Sequence, residues 1–141
     1  MYEILKTTHS FLRWGLLLFG VIAVVMALVA WIQKSDYRKY HKQIGLAFVI
    51  VTHTQVLIGL ILYSISPVVK NAFVNFGASM KNETLRFWAL EHPVSMILGA
   101  VLITLGRVST KRTSNPVKKH RRTLIYFVAG ILVILSAIPN G

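Results

Sequence analysis

The chain has 141 residues, 55% of them hydrophobic and 14% charged. A soluble domain of this size carries about 25% charged residues, so the composition is that of a membrane protein with a single domain. There is no cysteine, which excludes disulfides, thiolate metal sites, covalent c-type haem attachment and a cysteine nucleophile. The formal net charge is +12. In a soluble chain that would point to nucleic acid. Here the Lys and Arg lie in short connections between apolar runs, where they orient membrane helices, and no nucleic-acid partner is expected.

Four runs reach or approach the roughly 20 apolar residues that a membrane helix needs. They cover about 9–32, 44–66, 85–107 and, shorter, 122–139. The first is long enough to span and has no small-residue cleavage site after it, so it reads as a retained span rather than a signal peptide. With short connections throughout, the expected fold is all-α: an integral-membrane, up-and-down four-helix bundle forming one domain over 1–141.

Such a bundle puts both termini on one side, together with five cations: Lys6, Arg13, Lys70, Lys81 and Arg86. The other side receives eleven, all within Lys34–Lys42 and Arg107–Arg122. The positive-inside rule sets that side in the cytoplasm of a bacterial inner membrane and both termini outside. Trp14 and Trp88 then mark the outer interface and Trp31 the inner one. The outer connection 67–84, "PVVKNAFVNFGASMKNET", is too apolar for an ordinary loop. Phe73, Val74 and Phe76 suit an interfacial anchor, with a lid over the outer mouth as the alternative.

Polar groups inside apolar runs are costly and therefore informative. In the second run, "VIVTHTQVLIGLILY", Thr52, His53, Thr54 and Gln55 lie together near mid-depth. Thr52, Gln55 and Gly59 share one face, with His53 about 100° round from Thr52, so this helix is expected to be packed on several sides. In the third run His92 shares a face with Ser95, Met96 and Gly99, a small-residue pattern that turns it into the bundle. Pro93 frees a backbone carbonyl near Ala89 and bends the helix there. Glu91 lies on another face, with Arg86 and Arg13 as its candidate partners. His9 and Arg13, four residues apart, share a face at the outer edge. His41, in "DYRKYHKQ", reads as a solvated loop residue. His120, in "KKHRR", fits a basic patch against anionic lipid headgroups.

Inward-facing histidines on several helices of a small bundle are the pattern of b-type haem. Neutral imidazoles serve as axial ligands, and facing helices supply an apolar slot. Arg13 and Arg86 are placed for the propionates, and Gly20, Gly59 and Gly99 would give the macrocycle room. The candidate ligands are His92 and His53, then His9 and His120. Depth leaves the pairing open. At 1.5 Å per residue His53 lies roughly 9 Å deeper than His92, and His9 lies roughly 7 Å outside Trp14. His53 and His120 are candidates for a second, inner site. No HExxH or other compact metal motif, phosphate loop, nucleophile elbow or carboxylate pair is present, so no catalytic residue is assigned.

The stretches "LKTTHSFLRWGLLL", "HTQVLIGLILYSISP", "LRFWALEHP" and "ILSAIPN" resemble, in order and spacing over nearly the whole chain, a family of small four-span membrane proteins from Bacteroidetes-type bacteria labelled cytochrome b-like. That resemblance implies His9, His53, His92 and His120 as the histidines to test and leaves His41 aside. The leading expectation is an electron carrier in the lipid bilayer that holds one or two haem b groups and exchanges electrons with a quinone pool. Two other classes stand beside it. One is a non-haem accessory subunit that packs against a larger membrane complex or its own copies. The other is a proton or metal-ion permease using His53, Gln55 and Glu91.

Overall fold

Helix α1 (Tyr2–Ile32) begins well before the first apolar run, at Tyr2 rather than at residue 9. Its buried positions Leu16, Gly20, Ala23, Ala27 and Ala30 recur every three or four residues, which puts them on one face. Small side chains there let neighbouring helices approach closely. The helix ends where Lys34 takes a left-handed conformation (φ 54°), and the Ser35 N–H reaches back to the Ala30 carbonyl at 2.9 Å. This closing pattern satisfies carbonyls that the last turn leaves free. The chain is described here, by a computed structural model, over residues 1–139.

Helix α2 (Lys39–Ile65) starts earlier than its apolar run and buries His41, Gly45, Phe48, Val49 and Thr52. It stops before Pro67, because proline disfavours helical backbone in the residue that precedes it. The expected outer connection is itself helical: α3 (Pro67–Val74), α4 (Phe76–Ser79) and α5 (Glu83–Arg86). Side chains of Ser66, Asn75 and Asn82 cap these three short helices. Val69 and Ala72 are buried, while Phe73 and Val74 stay exposed, with Phe73 edge-on to Tyr63 at 6.3 Å.

A π-helical turn over Phe87–Glu91 joins α5 to α6 (His92–Lys111), and α7 (Pro116–Leu135) follows a short turn. All secondary structure among the described residues is helical. Three helical stretches are long and apolar enough to cross a membrane: Tyr2–Ile32, Lys39–Ile65 and Glu83–Lys111, with mean hydropathy 2.7, 2.1 and 1.5. Helix α7 falls short by that measure because Lys118, Lys119, Arg121 and Arg122 fill its first turns.

The long helices pack in a ring. α1 lies against α2 and α7, and α6 lies against the same two, so α1 faces α6 across the bundle and α2 faces α7. Phe48 and Phe127 meet in the middle with ring centres 5.0 Å apart, and both are buried together with Ile103. α6 and α7 come closest. A Cβ added to Gly130 would sit 2.9 Å from the Gly99 carbonyl oxygen and 2.6 Å from Ile103 Cγ1. The mid-bundle glycines therefore do not open a slot. Gly99 is filled by Ile134 and the Gly130 backbone, and Gly20 by Phe48 and Ile131. The expectation that Gly20 and Gly99 make room for a macrocycle is corrected accordingly: each was spent on helix contact.

Candidate functional site

Pro93 has no N–H, so the π-helical turn before it reorganises the backbone bonding. The His92 N–H reaches Phe87 O, five residues back. The Ala89 carbonyl, freed as expected, accepts from the Tyr63 hydroxyl at 2.7 Å. That bond pins the turn to α2 and sets the direction of the next side chain, His92.

The His92 imidazole is half-buried between Phe87 and Trp88, at ring distances of 5.7 and 5.5 Å. Its Nδ1 lies 2.8 Å from the Ala137 carbonyl oxygen. A carbonyl only accepts, so Nδ1 carries the proton and the neutral ring keeps a lone pair on Nε2. Across the bundle from it sits His9 of α1, with ring centres 6.5 Å apart and planes at 81°. The two rings meet although His9 lies more than a helical turn outside Trp14, so Trp14 and Trp88 do not mark one common depth. The His9 ring occupies the space over Gly59, whose added Cβ would lie 3.2 Å from His9 Cε1. Gln55 completes the group, donating from Nε2 to the His9 carbonyl at 2.7 Å. His9 Nδ1 and Gln55 Oε1 are buried with no hydrogen-bond partner. Buried polar atoms are nearly always paired, and unpaired ones call for a ligand, water or ion.

His53 does not join this group. It is exposed on the outside of α2, and its Nε2 lies 2.8 Å from Thr104 Oγ1. Thr104 gives its own proton to the Ala100 carbonyl, so it accepts from His53 Nε2–H. The pairing of His92 with His53 is therefore not formed. The expectation that α2 is packed around His53 also gives way, since His53 and Thr54 both face outward. Of the two cations expected near the propionates, Arg86 is committed to Glu91 at 2.7 Å and to the Met80 carbonyl at 3.1 Å. Arg13 lies over the Trp14 ring at 5.2 Å. Glu91 thus takes one of its two candidate partners.

The opposite end holds a second group. His120 is almost wholly buried, and its Nε2–H is shared between the Ser35 and Asp36 carbonyls at 3.1 and 3.3 Å. His41 is buried too, which corrects its reading as a solvated loop residue. Its Nδ1 accepts the Arg38 N–H at 3.0 Å, capping α2, and its ring lies 4.7 Å from that of His120. The signal for burial was present: His41, Gly45, Phe48 and Thr52 share one helical face. An inner site from His53 and His120 is not formed; His41 is the neighbour of His120. Tyr37 covers both rings, at 5.8 and 5.5 Å. Burial raises its phenol above the usual range, opposed by the nearby Arg107 charge. A cavity of about 10 Å³, room for about one water molecule, lies among Tyr37, His41, His120 and Thr123.

Two imidazoles on opposite sides of one metal, each at roughly 2 Å, set their ring centres roughly 6 Å apart. The His9–His92 pair is near that separation, with the His92 tautomer fixed and His9 Nδ1 unpaired, so it fits a metal-centred group on donor chemistry. The His41–His120 pair is closer, and His41 accepts through Nδ1, so its Nε2 carries the proton and offers no lone pair. No cluster of three or more His, Cys, Asp or Glu forms among the described residues. Compared with known proteins, the chain matches no family model, no curated protein and no solved structure.

Proposed function

We propose that the chain is a four-span bundle in a bacterial inner membrane, with its basic end in the cytoplasm, and that His9 and His92 hold a b-type haem for electron transfer. The observation that carries the reading is the outer pair itself: two half-buried imidazoles from facing helices, 6.5 Å apart, one of them held by a backbone carbonyl that leaves Nε2 free. Haem, when bound, supplies a one-electron change at iron whose potential is tuned by its axial ligands and surroundings. The residues supply the rest. Ala137 O holds the His92 Nδ1 proton and fixes the plane of the ring. Gln55 tethers the His9 backbone. Phe87 and Trp88 flank His92 and keep water from it. Arg13, with no carboxylate against it among the described residues, is the cation available to a propionate.

The test is an absorption spectrum of the purified protein, oxidised and dithionite-reduced, with haem quantified per chain. A Soret band with sharp reduced α and β bands supports the reading. A protein that stays colourless after expression with added haem sinks it. The unpaired Gln55 Oε1 favours a second reading, in which a bare transition-metal ion takes His9, His92 and Gln55 as donors. Elemental analysis of the colourless protein, finding about one such ion per chain, would select that reading.

A further inference from the structure

Arg107, on α6 at the basic end, is only 9% exposed. Its Nε has no hydrogen-bond partner. A buried guanidinium is expensive unless a counter-charge meets it. None does among the described residues, where the ion pair present is Arg86–Glu91 at the other end. The charges that reach Arg107's surroundings are cationic. Lys119 lies near both Arg107 and Lys42, and its Nζ sits 4.9 Å over the Tyr37 ring while donating to the Thr110 carbonyl at 2.9 Å. Tyr37 in turn lies close enough to Arg107 to feel its charge. The imbalance holds for the whole end: its two connections and the helix ends beside them carry eleven Lys and Arg against the single carboxylate of Asp36.

We infer that this end binds a phosphate-type anion, held by Arg107 with Tyr37 and Lys119 beside it. The three groups suit that chemistry. A guanidinium presents a planar fork to phosphate oxygens, an ammonium acts as a point charge, and a phenol donates a single hydrogen bond. They also come from three parts of the chain: α6, the turn after α1, and α7. An anion here would tie together segments that otherwise repel. Two sources carry the same group, an anionic phospholipid headgroup and free phosphate. The first follows if the chain spans a membrane, since basic pockets between helices at the cytoplasmic face suit such headgroups.

Native mass spectrometry of the delipidated protein, titrated with phosphatidylglycerol and separately with phosphatidylcholine, tests the inference. Expected is one phosphatidylglycerol bound about tenfold more tightly than phosphatidylcholine, with Arg107→Gln weakening it about tenfold. Lys111→Gln, the same charge change at an exposed position of the same end, should cost less than twofold. Equal losses in the two variants would reduce the effect to bulk charge and overturn the site. Should Arg107→Gln not fold, Tyr37→Phe and Lys119→Gln take its place, each expected to weaken binding several-fold. Inorganic phosphate that displaces the lipid and binds by itself, in an Arg107-dependent manner, assigns the site to free phosphate. Binding of neither phosphatidylglycerol nor inorganic phosphate overturns the inference.

Discussion

The two ends of the bundle hold the same kind of residue in opposite states. At the end near the N-terminus His9 and His92 face each other 6.5 Å apart with unpaired nitrogen, beside an unpaired Gln55 oxygen. At the basic end His41 and His120 are closer, 4.7 Å, and each spends a nitrogen on the chain: one caps α2 and the other holds the turn after α1. The difference teaches that burial alone does not mark a ligand histidine. What separates the pairs is spacing and tautomer: His41 Nδ1 accepts the Arg38 N–H, so its other nitrogen carries the proton, whereas His92 donates from Nδ1 and keeps a lone pair on Nε2. The basic end has its own unmet need, for negative charge at Arg107.

The largest expected effect comes from the layer between the ends. Gly130→Ala puts a methyl 2.9 Å from the Gly99 carbonyl, which backbone cannot yield easily. The cost should be at least about 3 kcal/mol, the upper part of the overpacking range. Thermal unfolding in detergent should show it, with loss of both ends at once; a stability within about 0.5 kcal/mol of the parent would mean the crossing is looser than described.

Next, His92→Ala should separate the ends. Haem content is expected to fall more than tenfold while phosphatidylglycerol binding stays within twofold. A joint loss would mean that the ends are coupled or that the variant is unfolded, and circular dichroism tells these apart. Arg107→Gln is the reciprocal variant and should leave the haem spectrum unchanged.

His120→Ala removes the donor that holds two buried carbonyls. It should cost about 1–3 kcal/mol, the penalty for unpaired buried polar groups, and hydrogen exchange should quicken at Ser35–Tyr37 first. Unchanged exchange there would place the anchor of that turn elsewhere. The smallest effect is Lys34→Gly. The left-handed backbone at Lys34 (φ 54°) suits glycine, so the variant should gain about 0.5–1 kcal/mol in chemical denaturation.

The helices were legible in the sequence, because long apolar runs favour helix; three of the four are long and apolar enough to cross a membrane, and α7 is not. The freed carbonyl at Ala89 and the Arg86–Glu91 pair were legible as well, since both follow from local chemistry. Helix starts were not. α1 and α2 begin in polar residues, where hydropathy is silent but helical hydrogen bonding continues. The pairing of His9 with His92 was hidden for another reason: Trp14 and Trp88 do not lie at one depth, so they are a poor ruler between helices. His53 misled for a different reason. A polar residue at mid-depth can be satisfied by one neighbour on the next helix, and the Thr104 hydroxyl does this from outside the core. His41 was missed because a charged neighbourhood outweighed its place on the buried face of α2. Glycines were legible as close-approach positions, but whether a side chain, a backbone or a ligand fills the approach depends on the facing helix.

The most direct measurement is haem content per chain for His9→Ala and His53→Ala, purified alike, beside the parent protein. The account predicts that His9→Ala loses its reduced α band and most of its haem while His53→Ala keeps both. Retention of haem by His9→Ala and its loss in His53→Ala would contradict the account and return the site to the middle of α2.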